Sequence, residues 1–331
     1  MKILVTGGAG YIGSMICYTL LERGHTPIIL DSFITGKQEF ISDDFTYYHG
    51  DISDKRLIDK IFHEHSDISL TIHCAARIIV PESVQNPFLY YEENVSKSNK
   101  FFNYLRNNNC TRIIFSSSAS IYAQVDGFKC NESSPIEPMS PYARTKYIME
   151  MILKDFCIAY KMNAISLRYF NPIGADPKLR SGLHQKKSSH IIAKLLEVAT
   201  KKKDYFEITG TNWPTKDGTG IRDYIHVWDL AQAHVKAAEE FENIFNEVNT
   251  KYQPINIGYG KGITVRDFIK IFEKVTQMTI PCKEVPPRPG DAAGYFSDTG
   301  LSKELLKWTP QMKIEHAIKD ALKWYEKYSG D

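Results

Sequence analysis

A glycine-rich turn near the start of the chain restricts its fold more than any other sequence feature. Residues 6–13 read TGGAGYIG and directly follow a short apolar run. Gly7 allows a tight turn after a buried strand, Gly10 lets the backbone approach a pyrophosphate, and Gly13 lets the next helix pack closely on the sheet. The N–H groups that begin that helix, expected over residues 11–23, can hold phosphate. The segment therefore predicts a dinucleotide site.

An acidic residue completes this pattern. A second strand is expected at residues 28–30 and is followed by Asp31. This carboxylate follows Gly13 at about the 20-residue spacing of the acid that binds the adenosine ribose. A 2′-phosphate would meet a like charge there, so the pattern favours NAD.

Length, charge and cysteine usage exclude several classes of protein. The 331 residues predict two domains or one enlarged domain. The net charge of +2 offers no general field for nucleic acid or an anionic membrane. Six scattered cysteines without a CxxC pair fit a reducing cytoplasm. We find no signal-peptide pattern and no apolar window of about 18 residues, so we expect a cytoplasmic protein without a membrane span.

Short β-rich runs alternate with longer amphipathic runs up to about residue 170. This alternation predicts an α/β fold, a doubly wound parallel sheet (Rossmann) with a smaller C-terminal substrate-binding domain. We assign residues 1–170 to an NAD-binding domain and residues 171–331 mainly to a substrate-binding domain, with segments near 222–230 and 255–257 that could return to the main sheet. Strands are expected at residues 3–6, 28–30, 45–49, 70–74, 112–116 and 164–168, and helices at 87–106, 142–160, 190–199 and 264–275.

A serine cluster and a Tyr-Lys pair mark a candidate reaction site. Serines from Ser116 to Ser118 follow the fifth expected strand, and the helix over residues 142–160 begins with Tyr142 and Lys146. Residues four apart share a helical face, so the lysine cation and an oxidised nicotinamide would both favour the phenolate of Tyr142. The lowered pKa predicted for Tyr142 would make it a base at neutral pH.

Together with the glycine turn, these residues match the triad of short-chain dehydrogenases/reductases. The chain resembles the extended branch of that superfamily and, within it, the UDP-glucose 4-epimerases, over nearly its whole length. The matching segments are TGGAGYIGS at residues 6–14, GDISD at 50–54, HCAARIIVPESV at 73–84, SSSASIY at 116–122, SPYARTK at 140–146, LRYFNPIGADP at 167–177 and WPTKDGTGIRDYIHVWDLAQAH at 213–234.

The resemblance implies an isomerase that inverts carbon 4 of UDP-galactose or UDP-glucose through a transient 4-keto sugar. The residues that it implies as catalytic are Ser118, Tyr142 and Lys146. Those implied to bind NAD are Gly7, Gly10, Tyr11, Ile12, Gly13, Asp31, Asp51, Ile52, Ala75, Asn94, Ser116, Tyr142, Lys146 and Tyr169. Those implied to bind the UDP-sugar are Ser118, Asn171, His190, Arg222, Arg288, Asp291 and Tyr295.

Two further properties follow from the same resemblance. A bulky residue at Tyr295 implies a preference for UDP-hexoses without an N-acetyl group, and helices near residues 87–106 and 142–160 imply a homodimer. Residues 178–189 match the family poorly, so His190 stays open between ligand binding and a surface position at a helix start. The side chains of His63 and His65 diverge on a helix, and no metal site is expected.

Other functions of the same fold stay open. A nucleotide-sugar 4,6-dehydratase normally has an acid pair after the strand-5 serine, where this chain has Ala119 and Ser120. Epimerases of N-acetylhexosamines, pentoses or uronates, and a net dehydrogenase or reductase, are alternatives within the superfamily. A non-catalytic NAD-sensing module is an alternative from another class, although it would not need Ser118, Tyr142 and Lys146 together.

Overall fold

A seven-stranded parallel sheet forms the centre of the structure, a computed structural model that describes residues 1–184, 190–287 and 292–328. The strands of this sheet and of two smaller sheets in the described residues are β1 (Lys2–Thr6), β2 (Thr26–Asp31), β3 (Thr46–His49), β4 (Ile68–His73), β5 (Arg112–Ser116), β6 (Lys129–Cys130), β7 (Asn163–Tyr169), β8 (Asn171–Ile173), β9 (Phe206–Thr209), β10 (Ile221–His226), β11 (Tyr252–Ile257), β12 (Gly262–Thr264), β13 (Cys282–Val285) and β14 (Gly294–Ser297).

Helices cover this sheet and connect it to the smaller sheets. They are α1 (Tyr11–Glu22), α2 (Lys55–Glu64), α3 (Val80–Gln85), α4 (Pro87–Tyr90), α5 (Lys97–Asn107), α6 (Pro141–Tyr160), α7 (Ile191–Ala199), α8 (Val227–Glu239), α9 (Phe241–Glu247), α10 (Val265–Thr276), α11 (Gly300–Leu305) and α12 (Ile314–Tyr328). Within the described ranges, we find no helix that is both long enough and apolar enough to cross a bilayer.

The main sheet has the order β3-β2-β1-β4-β5-β7-β11, and every neighbouring pair is parallel. Successive residues of a strand face opposite sides, so Ile3 and Val5 pack in the apolar layer that contains α1 and α8. Leu4 packs in the opposite layer with α2, α5 and α6. Both faces are covered, which explains why these strands are almost continuously apolar. The six strands expected in the first part are present, with ends within two residues of the prediction.

The helix predicted at residues 87–106 is interrupted. The structure has α4, a π-helical stretch at Tyr91–Ser96 and then α5. Asn94 lies in this stretch, and its amide binds both the N–H and the carbonyl of Arg77 at 2.8 and 3.0 Å. A π-helical turn adds one residue to the helical ladder, which a pattern of apolar residues does not reveal.

The last part of the chain contributes to more than one sheet. Strand β10 pairs with β8, β12 and β14 in a five-stranded sheet. The following helix, α8, packs against the main sheet beside α1. Strand β11 pairs with β7 at the edge of the main sheet. The division into domains near residue 170 stays a prediction.

Candidate active site

A cavity of about 1410 Å³ lies at the carboxyl ends of the main-sheet strands. Its lining includes the glycine turn at Gly7, the hydroxyl-bearing Ser118 and Tyr142, and Arg222 of β10. This volume exceeds the range of about 300–1,000 Å³ that is usual for a site that holds one small ligand. The cavity therefore has room for a dinucleotide and a second ligand beside it.

The glycine turn leaves space that any side chain would fill. A Cβ atom on Gly13 would lie 2.1 Å from the carbonyl oxygen of Gly7, and one on Gly7 would lie 2.8 Å from the amide nitrogen of Ala75. Gly7 also has φ +71°, a left-handed conformation that favours glycine. Among the described residues, no side chain caps α1 at Gly10, so its first N–H groups are left for a ligand. These features fit the pyrophosphate of NAD.

Two carboxylates, Asp31 and Asp51, also line the cavity. Asp31 is buried and accepts hydrogen bonds from the N–H groups of Ala9 and Phe33 at 2.9 and 2.8 Å. Burial raises the pKa of Asp31, although those two bonds oppose the rise. For Asp51 burial acts in the same direction, but hydrogen bonds from Lys97 and Ser53 outweigh it and lower the pKa of Asp51. Ile52, Ala75, Tyr11, Ile12 and Tyr169 also line the cavity.

Helix α6 brings Tyr142 and Lys146 to the end of β5. Ser140 caps the helix by accepting a hydrogen bond from the amide of Ala143, and Pro141 stands at its first position, where it needs no donor. Tyr142 is 7 % exposed and lines the cavity together with Ser118. The Nζ atom of Lys146 lies 6.0 Å from the centre of the Tyr142 ring.

The protein surroundings do not lower the pKa of Tyr142 as the sequence suggested. Burial raises the pKa of Tyr142 to about 12, and the neighbouring Ser118 hydroxyl opposes this rise only in part. Lys146 is itself buried, and burial lowers its pKa to about 8. The Lys146 ammonium group is directed to the backbone carbonyl of Ser116.

The side chains of two residues expected to contact NAD form hydrogen bonds within the protein instead. The Ser116 hydroxyl lies 2.9 Å from Nε2 of His234 and 3.1 Å from the sulfur of Cys74, and only its carbonyl oxygen faces Lys146. The buried Asn94 amide binds the Arg77 backbone and the Thr145 hydroxyl. Both side chains therefore shape the lining of the cavity from behind.

Three of the residues predicted to bind the substrate line the cavity. Asn171, His190 and Arg222 all line the cavity, whereas Arg288 and Asp291 lie outside the described residues. His190 is the N-cap residue of α7 and is half-buried against the Tyr11 ring, and burial lowers its pKa. Its role in substrate binding stays a prediction.

The Arg222 guanidinium is held by backbone carbonyls. Its Nη1 atom donates to Ile221 and Ala293 at 2.7 and 2.9 Å. These bonds use part of its donor capacity and fix the remaining N–H groups in direction.

Tyr295 packs behind the cavity in the described part of the chain, rather than lining it. Its hydroxyl donates to the carbonyl of Ala119 at 2.7 Å, and its ring meets Phe170 and Tyr122 edge to face. Tyr295 thus contacts Phe170, which lines the cavity, and its role in limiting room around the sugar stays a prediction.

Sequence reasoning missed several lining residues. Lys194 of α7 lies four residues after His190, the N-cap residue of that helix, and this spacing of about one helical turn could have revealed it. Trp213 and Phe170 also line the cavity. Both lie in the segments that match the family, but the sequence analysis assigned no role to them. In the described residues, we find no cluster of His, Cys, Asp or Glu with the arrangement of a metal site.

Comparison with known proteins decides the family. The family model described as NAD dependent epimerase/dehydratase matches residues 3–258. The chain belongs to this epimerase/dehydratase family. A UDP-glucose 4-epimerase of Halalkalibacterium halodurans is 38% identical over 99% of this chain and 96% of the relative. This membership and this relative confirm the resemblance predicted from the motifs.

Solved structures of epimerases share the whole fold. One is a UDP-glucose 4-epimerase of Stenotrophomonas maltophila with bound NAD and formylated UDP-arabinopyranose (TM-score 0.94, 32% identity, 100% of this chain and 99% of the other). Another is that of Bifidobacterium longum with NAD⁺ and UDP (TM-score 0.90, 30% identity, 99% of both chains). The predicted fold class of this epimerase/dehydratase family member is therefore confirmed.

Proposed function

We propose that this protein is an NAD-dependent isomerase that interconverts UDP-galactose and UDP-glucose by inverting carbon 4. The strongest support is that a single cavity is lined by the glycine turn, by Arg222, and by Ser118 and Tyr142. The similar proteins of Halalkalibacterium halodurans and Bifidobacterium longum carry the name UDP-glucose 4-epimerase. Spatial convergence of these groups is what an enzyme with two ligands needs.

The residues that would hold NAD are those of the glycine turn and the two carboxylates. The amides at the start of α1 would bind the pyrophosphate, Asp31 the adenosine ribose, and Asp51 and Ile52 would flank the adenine. Lys146 would contact the nicotinamide ribose. When bound, NAD would supply a hydride acceptor and donor for carbon 4 and a positive charge that favours the Tyr142 phenolate.

Tyr142 and Ser118 would handle the proton of the sugar hydroxyl. Tyr142 takes the proton from the 4-hydroxyl, so that the sugar becomes a 4-keto sugar as carbon 4 gives up its hydrogen. Ser118 donates a hydrogen bond to the same oxygen. After the sugar has turned its other face, Tyr142 returns the proton. Substrate and product have the same oxidation state, so no net oxidant is consumed.

Arg222, His190 and Asn171 would bind the UDP part, and we assign the same role to Arg288 and Asp291. A guanidinium group binds phosphate oxygens in a bidentate manner. Arg222 is pre-oriented by two backbone carbonyls, which reduces the ordering that binding requires. Recognition through UDP leaves the sugar ring free to rotate between two orientations.

We also propose a preference for hexoses without an N-acetyl group. Tyr295 supports Phe170 from behind, and the half-buried tyrosine limits how far that part of the cavity can widen. Comparable rates with UDP-N-acetylglucosamine and UDP-glucose would contradict this preference.

A homodimer in the cytoplasm is the expected state of the protein. Phe88 of α4 is 78% exposed, and Met151 and Ile158 of α6 are 43% and 71% exposed. Helices α4 and α6 contact each other, so their exposed apolar side chains lie on neighbouring elements. A second copy of the chain would bury them. Sedimentation analysis of the purified protein tests this assembly, and a monomer at all concentrations would contradict it.

The proposed reaction is tested by incubating the purified protein, without added cofactor, with UDP-galactose that carries deuterium at carbon 4. We expect UDP-glucose that keeps the label, because the hydrogen leaves and returns without exchange with water. Failure of conversion even after NAD is supplied would overturn the proposal. NADH accumulating in step with product would indicate a dehydrogenase, and loss of water from the sugar would indicate a 4,6-dehydratase.

A further inference from the structure

Helix α6 is joined to the serine cluster by two hydrogen bonds. Lys146 donates to the carbonyl of Ser116 at 2.8 Å, and Glu150 accepts a 2.5 Å hydrogen bond from the Ser117 hydroxyl. Tyr142, one turn before Lys146, lines the cavity together with Ser118. Tyr142, Lys146 and Glu150 are spaced by four residues and therefore lie on one face of the helix. The sequence gives no role to Glu150 or to Ser117 in the proposed reaction.

The Glu150 carboxylate is also held by an arginine of the main sheet. Arg168 of β7 donates to it from Nη2 at 2.6 Å and from Nε at 3.0 Å, and both side chains are almost fully buried. Strand β7 is the direct neighbour of β5, which ends at Ser116. The ion pair thus connects the helix that carries Tyr142 to the sheet that carries the serines.

Arg168 is also linked through hydrogen bonds to β11. Its Nη1 atom donates to the Tyr122 hydroxyl at 3.0 Å, and that hydroxyl donates to Asn256 of β11 at 2.7 Å. Every polar atom of Glu150 has a partner among the described residues, and Glu150 is only 2% exposed. A buried ion pair adds little net stability compared with apolar packing, but it holds its partners in one arrangement when it is fully hydrogen bonded.

We infer that Glu150 is a positioning residue that acts through Ser117. Its carboxylate holds the Ser117 hydroxyl, and the adjacent backbone then places the Ser116 carbonyl against Lys146 and the Ser118 hydroxyl against Tyr142. The inference rests on the proposed function, because it assigns Ser118 and Tyr142 to the reacting hydroxyl. Loss of the Glu150–Ser117 bond would let the serine segment shift relative to α6 while leaving the UDP-binding residues in place.

Ser117→Ala tests this inference better than a change at Glu150. Glu150→Gln leaves the buried guanidinium of Arg168 without a countercharge and can unfold the chain, whereas Ser117→Ala keeps the ion pair. Since small misplacements of reacting groups reduce rates strongly, we expect a kcat about tenfold lower, with KM for UDP-galactose within about twofold of the original value. The matched control is Ser302→Ala, which removes a similarly buried hydroxyl bonded to the Thr299 carbonyl, far along the chain in α11.

Amide hydrogen exchange provides a readout that does not depend on turnover. Peptides covering residues 116–122 should exchange faster in Ser117→Ala than in the unmodified protein or in Ser302→Ala, at equal melting temperature. Unchanged kcat and unchanged exchange in Ser117→Ala would overturn the inference. If the unmodified protein does not convert UDP-galactose, the proposed function fails, and the exchange data alone decide whether Glu150 positions the serine segment.

Discussion

The Nζ atom of Lys146 donates a 2.8 Å hydrogen bond to the Ser116 carbonyl oxygen. This bond joins the first turns of α6 to the carboxyl end of β5, so the lysine holds together the two elements that carry Tyr142 and Ser118. The ammonium group of Lys146 is buried and lies 6.0 Å from the centre of the Tyr142 ring. Its hydrogen bond is made to the backbone of the serine segment.

Tyr142→Phe should abolish measurable epimerisation while the fold is kept. The change removes only the hydroxyl that would accept and return the sugar proton, and general acid–base groups contribute factors of about 10²–10⁴ to rates. Conversion of UDP-galactose to UDP-glucose measures the effect. Tyr160→Phe, at the exposed end of the same helix, is the control and should keep full activity. Activity within a factor of ten of the original in Tyr142→Phe would rule out this role.

Lys146→Met should change how stability depends on pH. Burial lowers the pKa of Lys146 to about 8 from an ordinary value of 10.5, so the folded state loses this proton before the unfolded state does. The free energy of unfolding therefore gains a rising contribution between about pH 8 and 10.5, on the order of 3 kcal/mol, which is absent below pH 8. Urea unfolding from pH 7 to 10.5 should show this rise in the original protein and not in the variant. Parallel curves for the two proteins would contradict the prediction.

Gly13→Ala should prevent retention of NAD. The new Cβ would lie 2.1 Å from the Gly7 carbonyl oxygen, so the turn and the start of α1 must separate. The dinucleotide content of the purified protein, measured after denaturation, should fall to a small fraction of the original. Gly300→Ala is a matched change at the start of another helix, where the nearest atom is an Asp298 side-chain oxygen at 3.2 Å. Equal NAD content in both variants would show that the turn tolerates a side chain.

Glu150→Gln should destabilise the protein strongly. Removal of one member of a buried ion pair costs about 3–5 kcal/mol, because the Arg168 guanidinium is left buried without a countercharge. Glu242→Gln, which breaks the exposed ion pair with Arg112, should change the free energy of unfolding by less than about 1 kcal/mol. Denaturant unfolding of both variants measures the contrast. Similar losses in the two would mean that burial of the Glu150 pair does not govern its energetics.

Tyr295→Ser should raise activity on UDP-N-acetylglucosamine relative to UDP-glucose. The shorter side chain no longer reaches the Ala119 carbonyl and no longer supports Phe170, so the cavity can widen next to Ser118 and Ser120. The ratio of kcat/KM for the two substrates is the measurement. An unchanged ratio would show that another residue limits room for the acetyl group.

Much of the candidate site could be predicted because it depends on local geometry. The turn at Gly7 and Gly13, the carboxylate of Asp31 after β2, and the shared helical face of Tyr142 and Lys146 each follow from spacings within one or two neighbouring elements. Strand positions followed from apolar runs for the same reason, since strands buried on both faces need continuous apolar sequence.

The sequence by itself thus determined the parallel sheet, the dinucleotide turn and the Tyr-Lys pair. Only the tertiary structure decided that the Ser116 hydroxyl faces His234, that Tyr295 lies behind Phe170, and that Glu150 binds Ser117. The physical reason is that periodicity shows which side of an element is buried, while the partner of a buried polar group is chosen by packing between residues far apart in the chain. Ser116 and His234 are 118 residues apart, and no local spacing connects them.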